Sequence, residues 1–150
     1  MKNLLVPLTI LSVIALISAC GSPASGVKFS ELERSLTVQE GTSKIIVYRP
    51  DRVTGSGDRM NIVVNDEPIG KLLPVGYLII DTDQDYLTIH TETSAIDRAI
   101  ELDLNKPRVV YLKTVFSNYV MTGAWDLIEI DAESAGDGLQ DLRESIDAPK

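Results

Sequence analysis

Oxygen ligands recur at even spacing in the segment DTDQDYLTIHTE, where Asp81, Asp83 and Asp85 are followed by Glu92. Carboxylates at positions one, three, five and twelve are the ligand set of an EF-hand calcium loop. Such a loop bends sharply on a glycine at position six, and here that residue is Tyr86. Tyr86 to Thr91 also alternates as a strand does, which would carry Glu92 about 20 Å from Asp85 at ~3.3 Å per residue. The segment reads as a hairpin turn shaped by aspartates, and Asp81, Asp83 and Asp85 alone remain as a candidate metal site. His90 is the sole histidine, and the sequence places no triad or zinc partners near it. It reads as a strand histidine on a sheet surface. Glu101 with Asp103, and Glu129 with Asp131, are carboxylate pairs at alternate positions, side by side on one face of a strand. General acid–base work would need such a pair enclosed in an apolar cleft. A solvated face is the expectation. Tyr48 and Arg49, at a strand end, are candidates for a peptide- or glycan-binding corner. The competing reading has them closing the fold, with Arg49 paired to a carboxylate. Trp125 and Tyr119 border Gly123 and read as core packing. No cofactor is expected.

The single cysteine, Cys20, follows an apolar run. Lys2, the fourteen apolar-rich residues Leu4–Ile17, and the small residues Ser18 and Ala19 have the order of a secretory signal over residues 1–19. The run is shorter than the roughly 20 residues a spanning helix needs, and Pro7 interrupts it. An exported chain with one cysteine cannot close an internal disulfide. Ile17-Ser18-Ala19-Cys20 resembles the lipobox of bacterial lipoproteins. That resemblance implies a diacylglyceryl group on the Cys20 sulfur, cleavage before Cys20 and acylation of the new amine. Acyl chain buried in a bilayer contributes about 0.8 kcal/mol per methylene, so several chains hold firmly where one holds reversibly. Gly21 and Ser22, in place of an aspartate after the cysteine, imply sorting to the outer membrane in a cell with two membranes. Residues 20–27 read as a flexible linker of small residues.

Cleavage would remove Lys2 and change the net charge from −8 to −9. An acidic domain is a poor ligand for nucleic-acid phosphates, which need clustered Lys and Arg. The bland consequence of the charge is solubility.

Elements of one domain, residues 28–150, must position these residues. FSELERSL (29–36) reads as a short helix with Ser30 and Glu33 at capping-box spacing and Phe29, Leu32 and Leu36 on one face. Strands are expected over 43–49, 60–65, 68–72, 77–81, 86–92, 99–104, 108–116 and 125–130, from period-two alternation and β-branched residues between turn signals. A helix is expected after Asp137, with Gln140 completing its capping box and Leu139, Leu142 and Ile146 on its apolar face. No long helical pattern separates the strands, so parallel crossovers are not expected. The fold class is all-β, an antiparallel β-sandwich of about eight short strands with a short helix near each end.

IIVYRP (45–50), VVNDEPIGKL (63–72), GYLIID (76–81) and YLTIHTE (86–92), in this order behind the lipobox, resemble the small bacterial lipoproteins of the domain-of-unknown-function family DUF2846. The chain departs from that pattern where Asp83-Gln84-Asp85 replaces a proline-glycine turn, and His90 lies further into its strand. The resemblance implies a β-sandwich lipoprotein and carries no activity. The resulting expectation is a lipid-anchored, non-enzymatic envelope protein. It would be held to the membrane through Cys20 and would meet another envelope protein by a sheet edge or loop end. A carboxylate-based hydrolase or glycan-acting enzyme, and a calcium-stabilised structural domain, are the alternatives.

Overall fold

The computed structural model describes residues 23–32, 36–50, 59–94, 98–118 and 123–146. Residues 1–22, with the signal and Cys20, lie outside them, as do 33–35, 51–58, 95–97, Tyr119 to Thr122 and 147–150.

Among the described residues, nine strands form two facing sheets. They are β1 (Ser43–Arg49), β2 (Met60–Val64), β3 (Glu67–Leu72), β4 (Gly76–Thr82), β5 (Tyr86–Thr91), β6 (Ile100–Asp103), β7 (Val109–Asn118), β8 (Gly123–Ile130) and β9 (Arg143–Glu144). The order is β8-β7-β1-β4-β9 in the five-stranded sheet and β3-β2-β5-β6 in the four-stranded one. The all-β sandwich read from the sequence is the observed fold, with every one of the eight expected strands present.

The first sheet is mixed, however, where a wholly antiparallel arrangement was expected. β1 pairs with β7 in parallel, Lys44 opposite Val109 and Tyr48 opposite Lys113, and β4 pairs with β9 in parallel. No helix is needed for the β1-to-β7 return, because the strands between them shuttle between the two sheets. β2 and β3 lie in the second sheet, β4 returns to the first, and β5 and β6 cross again.

β1 shows why the sheet is covered on both sides. Ile45, Ile46, Val47 and Tyr48 are an unbroken apolar run, and all four are fully buried. Such a run marks a strand enclosed on both faces. Ile45 and Val47 point between the sheets into a core with Ile62, Leu87, Leu112 and Trp125. Ile46 and Tyr48 point outward under two helices, against Phe29, Tyr77, Ala135 and Leu139. Each such side chain contributes roughly 1.5–3 kcal/mol by leaving water.

The helices differ from their expected positions. α1 is one turn, Phe29–Leu32, with Ser30 inside it instead of capping it; Phe29, Leu32 and Leu36 nevertheless share the outer core as their spacing implies. α2 spans Ala132–Leu139, about six residues before the expected helix. Its cap is Asp131, whose carboxylate accepts from the Ser134 N–H at 2.8 Å. Two glycines, Gly136 and Gly138, lie within it. Gly138 lets α2 close on Tyr48, since a Cβ there would stand 3.1 Å from the ring. The chain then leaves as β9, so Ile146 is exposed and takes no part in a helical face.

Three of the described turns lie at the ends of the sandwich. Asn65 and Asp66 have φ of 48° and 67°, the left-handed pair that a two-residue hairpin requires and that Asn and Asp accept with least cost. The Asn65 amide nitrogen donates to Gln84 Oε1 at 2.7 Å, tying this turn to the 83–85 turn. At the opposite end, Val75 has φ 54°, a conformation that costs a β-branched residue about 1–3 kcal/mol and persists only where surroundings hold it.

Candidate functional site

Tyr48 and Arg49 do not form an exposed binding corner. Tyr48 is wholly buried and Arg49 is 2% exposed. The Arg49 guanidinium lies 4.4 Å from the centroid of the Trp125 ring, a cation–π stack that in a dry setting contributes about 2 kcal/mol. Trp125 also meets Phe116 edge-on at 5.2 Å. Both side chains are built into the packed interior, with the Arg49 guanidinium lying on the Trp125 indole. Burial also raises the Tyr48 phenol above its ordinary pKa, and its Oη has no hydrogen-bond partner among the described residues.

Trp125 does more than fill the core. Its carbonyl accepts from Thr91 Oγ1, and its N–H donates to Thr93 Oγ1 at 3.2 Å. Beside it, Asp126 holds Ser94 Oγ at 2.7 Å and Arg98 Nη1 at 3.0 Å. The end of β5 is thereby stitched to the edge strand β8, closing one side of the sandwich. Tyr119 lies outside the described residues.

Asp81, Asp83 and Asp85 lie at one end of the sandwich without converging. Asp81 takes Lys44 Nζ at 2.5 Å. Asp83 and Asp85 stand exposed in the turn beyond it. Glu92 sits at the other end of β5, with its Oε2 accepting from the Asn61 side chain at 2.6 Å. Among the described residues no three His, Cys, Asp or Glu side chains are grouped to hold a metal ion. His90 is half-buried on β5, its Nδ1 lacking a partner among the described residues.

Each carboxylate pair from the sequence stands in solvent with neighbours of its own. Glu101 lies against Tyr86, and the hydrogen bond between them is the main cause that lifts the Tyr86 pKa. The backbone and then the side chain of Asn105 hold Asp103 below its ordinary value. Glu129 pairs with Arg108 at 2.8 Å, and Asp131 caps α2. Asp103, Asn105, Lys106 and Arg108 line an open concavity of about 330 Å³, but Asp103 and Arg108 are already engaged there.

The least expected construction is at the other end, where the segment read as a flexible linker is fastened from Ala24 onward. Ala24 is buried and its N–H donates to the Pro74 carbonyl at 3.1 Å. Gly26 donates to the Glu144 carbonyl at 3.0 Å, and its own carbonyl accepts from Arg143 Nη1 at 3.1 Å. The Val27 carbonyl accepts from the Glu144 N–H and from Tyr77 Oη, both at 2.9 Å. Ser145 Oγ accepts from the Leu73 N–H at 3.1 Å, closing the far side. The strained Val75 turn is the floor of this arrangement, its carbonyl accepting from Arg143 N–H at 3.4 Å. Nothing in a run of small residues signals such a strap by periodicity. The trace it leaves is steric: a Cβ on Gly26 would stand 2.6 Å from that of Glu144, so only glycine fits.

Tyr77 is the phenol that grips the strap, and burial, then the charges of Glu144 and Glu31, push its pKa up to about 12. Its protonated form is the one the fold holds. The stability it contributes is complete below its ordinary pKa near 10 and disappears as pH rises through about 12. The thermal midpoint should therefore fall between pH 9 and pH 12 more steeply in the parent protein than in Tyr77→Phe; equal slopes would contradict the assignment.

No known family model, no curated protein and no solved structure matches this chain.

Proposed function

We propose that this chain is a lipid-anchored protein of the cell envelope, joined to a bilayer through the sulfur of Cys20. In a cell with two membranes it faces the periplasm from the outer membrane. The β-sandwich is a binding or accessory module for another envelope protein, not an enzyme. One observation carries the reading: the tetrad Ile17-Ser18-Ala19-Cys20, at the end of a short apolar run, lies four residues ahead of Ala24, which is bonded to the sandwich. The likeness of the strand motifs to the DUF2846 lipoproteins points the same way. The engaged, solvent-facing carboxylates favour binding over hydrolysis. Beyond the Trp125 stitch, β8 is the last strand of its sheet among the described residues and Ile128 on it is exposed, the kind of edge a partner's strand can meet.

Cys20→Ser is the direct test. Cleavage and acylation both need the thiol, so the variant is expected to keep its leader, to take up no labelled palmitate and to lose its mature mass. Native protein whose intact mass showed a free Cys20 thiol would overturn the proposal.

A further inference from the structure

The fastened strap restricts how the domain can lie against a membrane. Four Cα-to-Cα steps separate Cys20 from Ala24, the first residue bonded to the sandwich, which reach at most about 14 Å when fully extended. A headgroup layer is roughly 5–8 Å deep on each side of the hydrocarbon. From Ala24 onward the chain is bonded to the Pro74 turn, to β9 and to Tyr77. Fully extended, so short a tether carries the strap end less than about 10 Å beyond the headgroup layer, which keeps it close enough to touch the lipid.

That end carries the surface such contact needs. Val27 in the strap is 41% exposed and Ile146 beside it is 47% exposed, and the Ile146 side chain reaches the backbone of the strap at Gly26. Arg143 is exposed between them in sequence and hydrogen-bonded to the strap. The strap end carries Glu31, Asp141 and Glu144 beside Lys28 and Arg143, and the opposite end is the more acidic. Asp66, Glu67, Asp83, Asp85 and Asp103 are exposed at the turns there. β4 runs from Gly76 at the strap to Thr82 at the acidic end, about 20 Å at ~3.3 Å per residue. Bilayer surfaces rich in anionic lipid repel such a cluster and favour having it outward.

We propose that the strap end seats directly on the lipid surface, with Val27 and Ile146 entering the interfacial layer and the acidic turns projecting away from it. The proposal rests on the Cys20 anchor and adds an orientation to it. The mature protein acquires a single free thiol in each of two variants, Ile146→Cys and Asp83→Cys. Each is purified with its lipid, labelled with a thiol-reactive fluorophore, and placed in vesicles of phosphatidylethanolamine and phosphatidylglycerol carrying headgroup nitroxides. The label at position 146 should be quenched several-fold more than the label at position 83, with one label per chain. Equal quenching at one label per chain would overturn the orientation and leave the anchor standing. Two labels per chain would show Cys20 to be free and would overturn both.

Discussion

Trp125→Ala should lower the thermal midpoint by roughly 10–20 °C, the largest shift expected of any single core truncation in this domain. Truncating a buried tryptophan costs about 3–5 kcal/mol in lost transfer energy and residual cavity, against a total stability on the order of 5–15 kcal/mol for a domain of this size. Two further losses accompany it. The Phe116 ring loses its edge contact, and the buried Arg49 guanidinium loses the face on which it lies. The backbone bonds to Thr91 and Thr93 survive the substitution, so the sheet-to-sheet stitch is not what is being removed. Trp125→Phe keeps an aromatic face and should recover a substantial part of the shift. A midpoint within a few degrees of the parent for Trp125→Ala would mean that the ring packs loosely and that Arg49 is held by other means.

Gly76→Val should release the strap. Its side chain would enter space already held by Ser145 Oγ, by the Ala24 Cβ at 2.8 Å and by the Leu73 carbonyl at 3.0 Å. Overpacking of this kind costs about 1–3 kcal/mol, and the cheapest relief is to expel Ala24 instead of distorting β4. Hydrogen exchange separates the two responses. The amides of Ala24 and Gly26 should lose protection while those of Ile45 and Val47 keep theirs. Protection lost equally in both places would place the strap within the global unfolding unit and would contradict a separable clasp.

The strands were legible because their chemistry is periodic. Met60 and Ile62 alternate and both are buried, and the Asn65-Asp66 pair carries its turn geometry in its residue types. The mixed pairing of β1 was not legible, since a strand's own pattern does not name its neighbour. A sign of its two-sided burial was present in the unbroken run Ile45 to Tyr48, and that same run foretells the burial of Arg49 at its end better than its terminal position does. α2 was misplaced because Gly136 and Gly138 weaken helix propensity, although Asp131 and Ser134 spelled its cap. The apolar spacing of Leu139, Leu142 and Ile146 imitated a helix, but only the first two residues are buried. The strap was hidden for a different reason. Its bonds are made by backbone groups, which every sequence possesses, and by the absence of side chains at Gly26 and Gly76.

The side-by-side placement of β1 and β7 has a consequence for the order in which the polypeptide matures. Arg108 donates to the Ser43 hydroxyl across 65 positions of chain, and the central strand has no complete set of neighbours until that distance has been synthesised. Pairings so remote in sequence slow folding, because the entropy of closing the loop is spent before any contact rewards it. Were the chain threaded unfolded through a translocation pore, as the proposed anchoring requires, such delay would help: its middle could not lock into shape while its rear half was still on the wrong side.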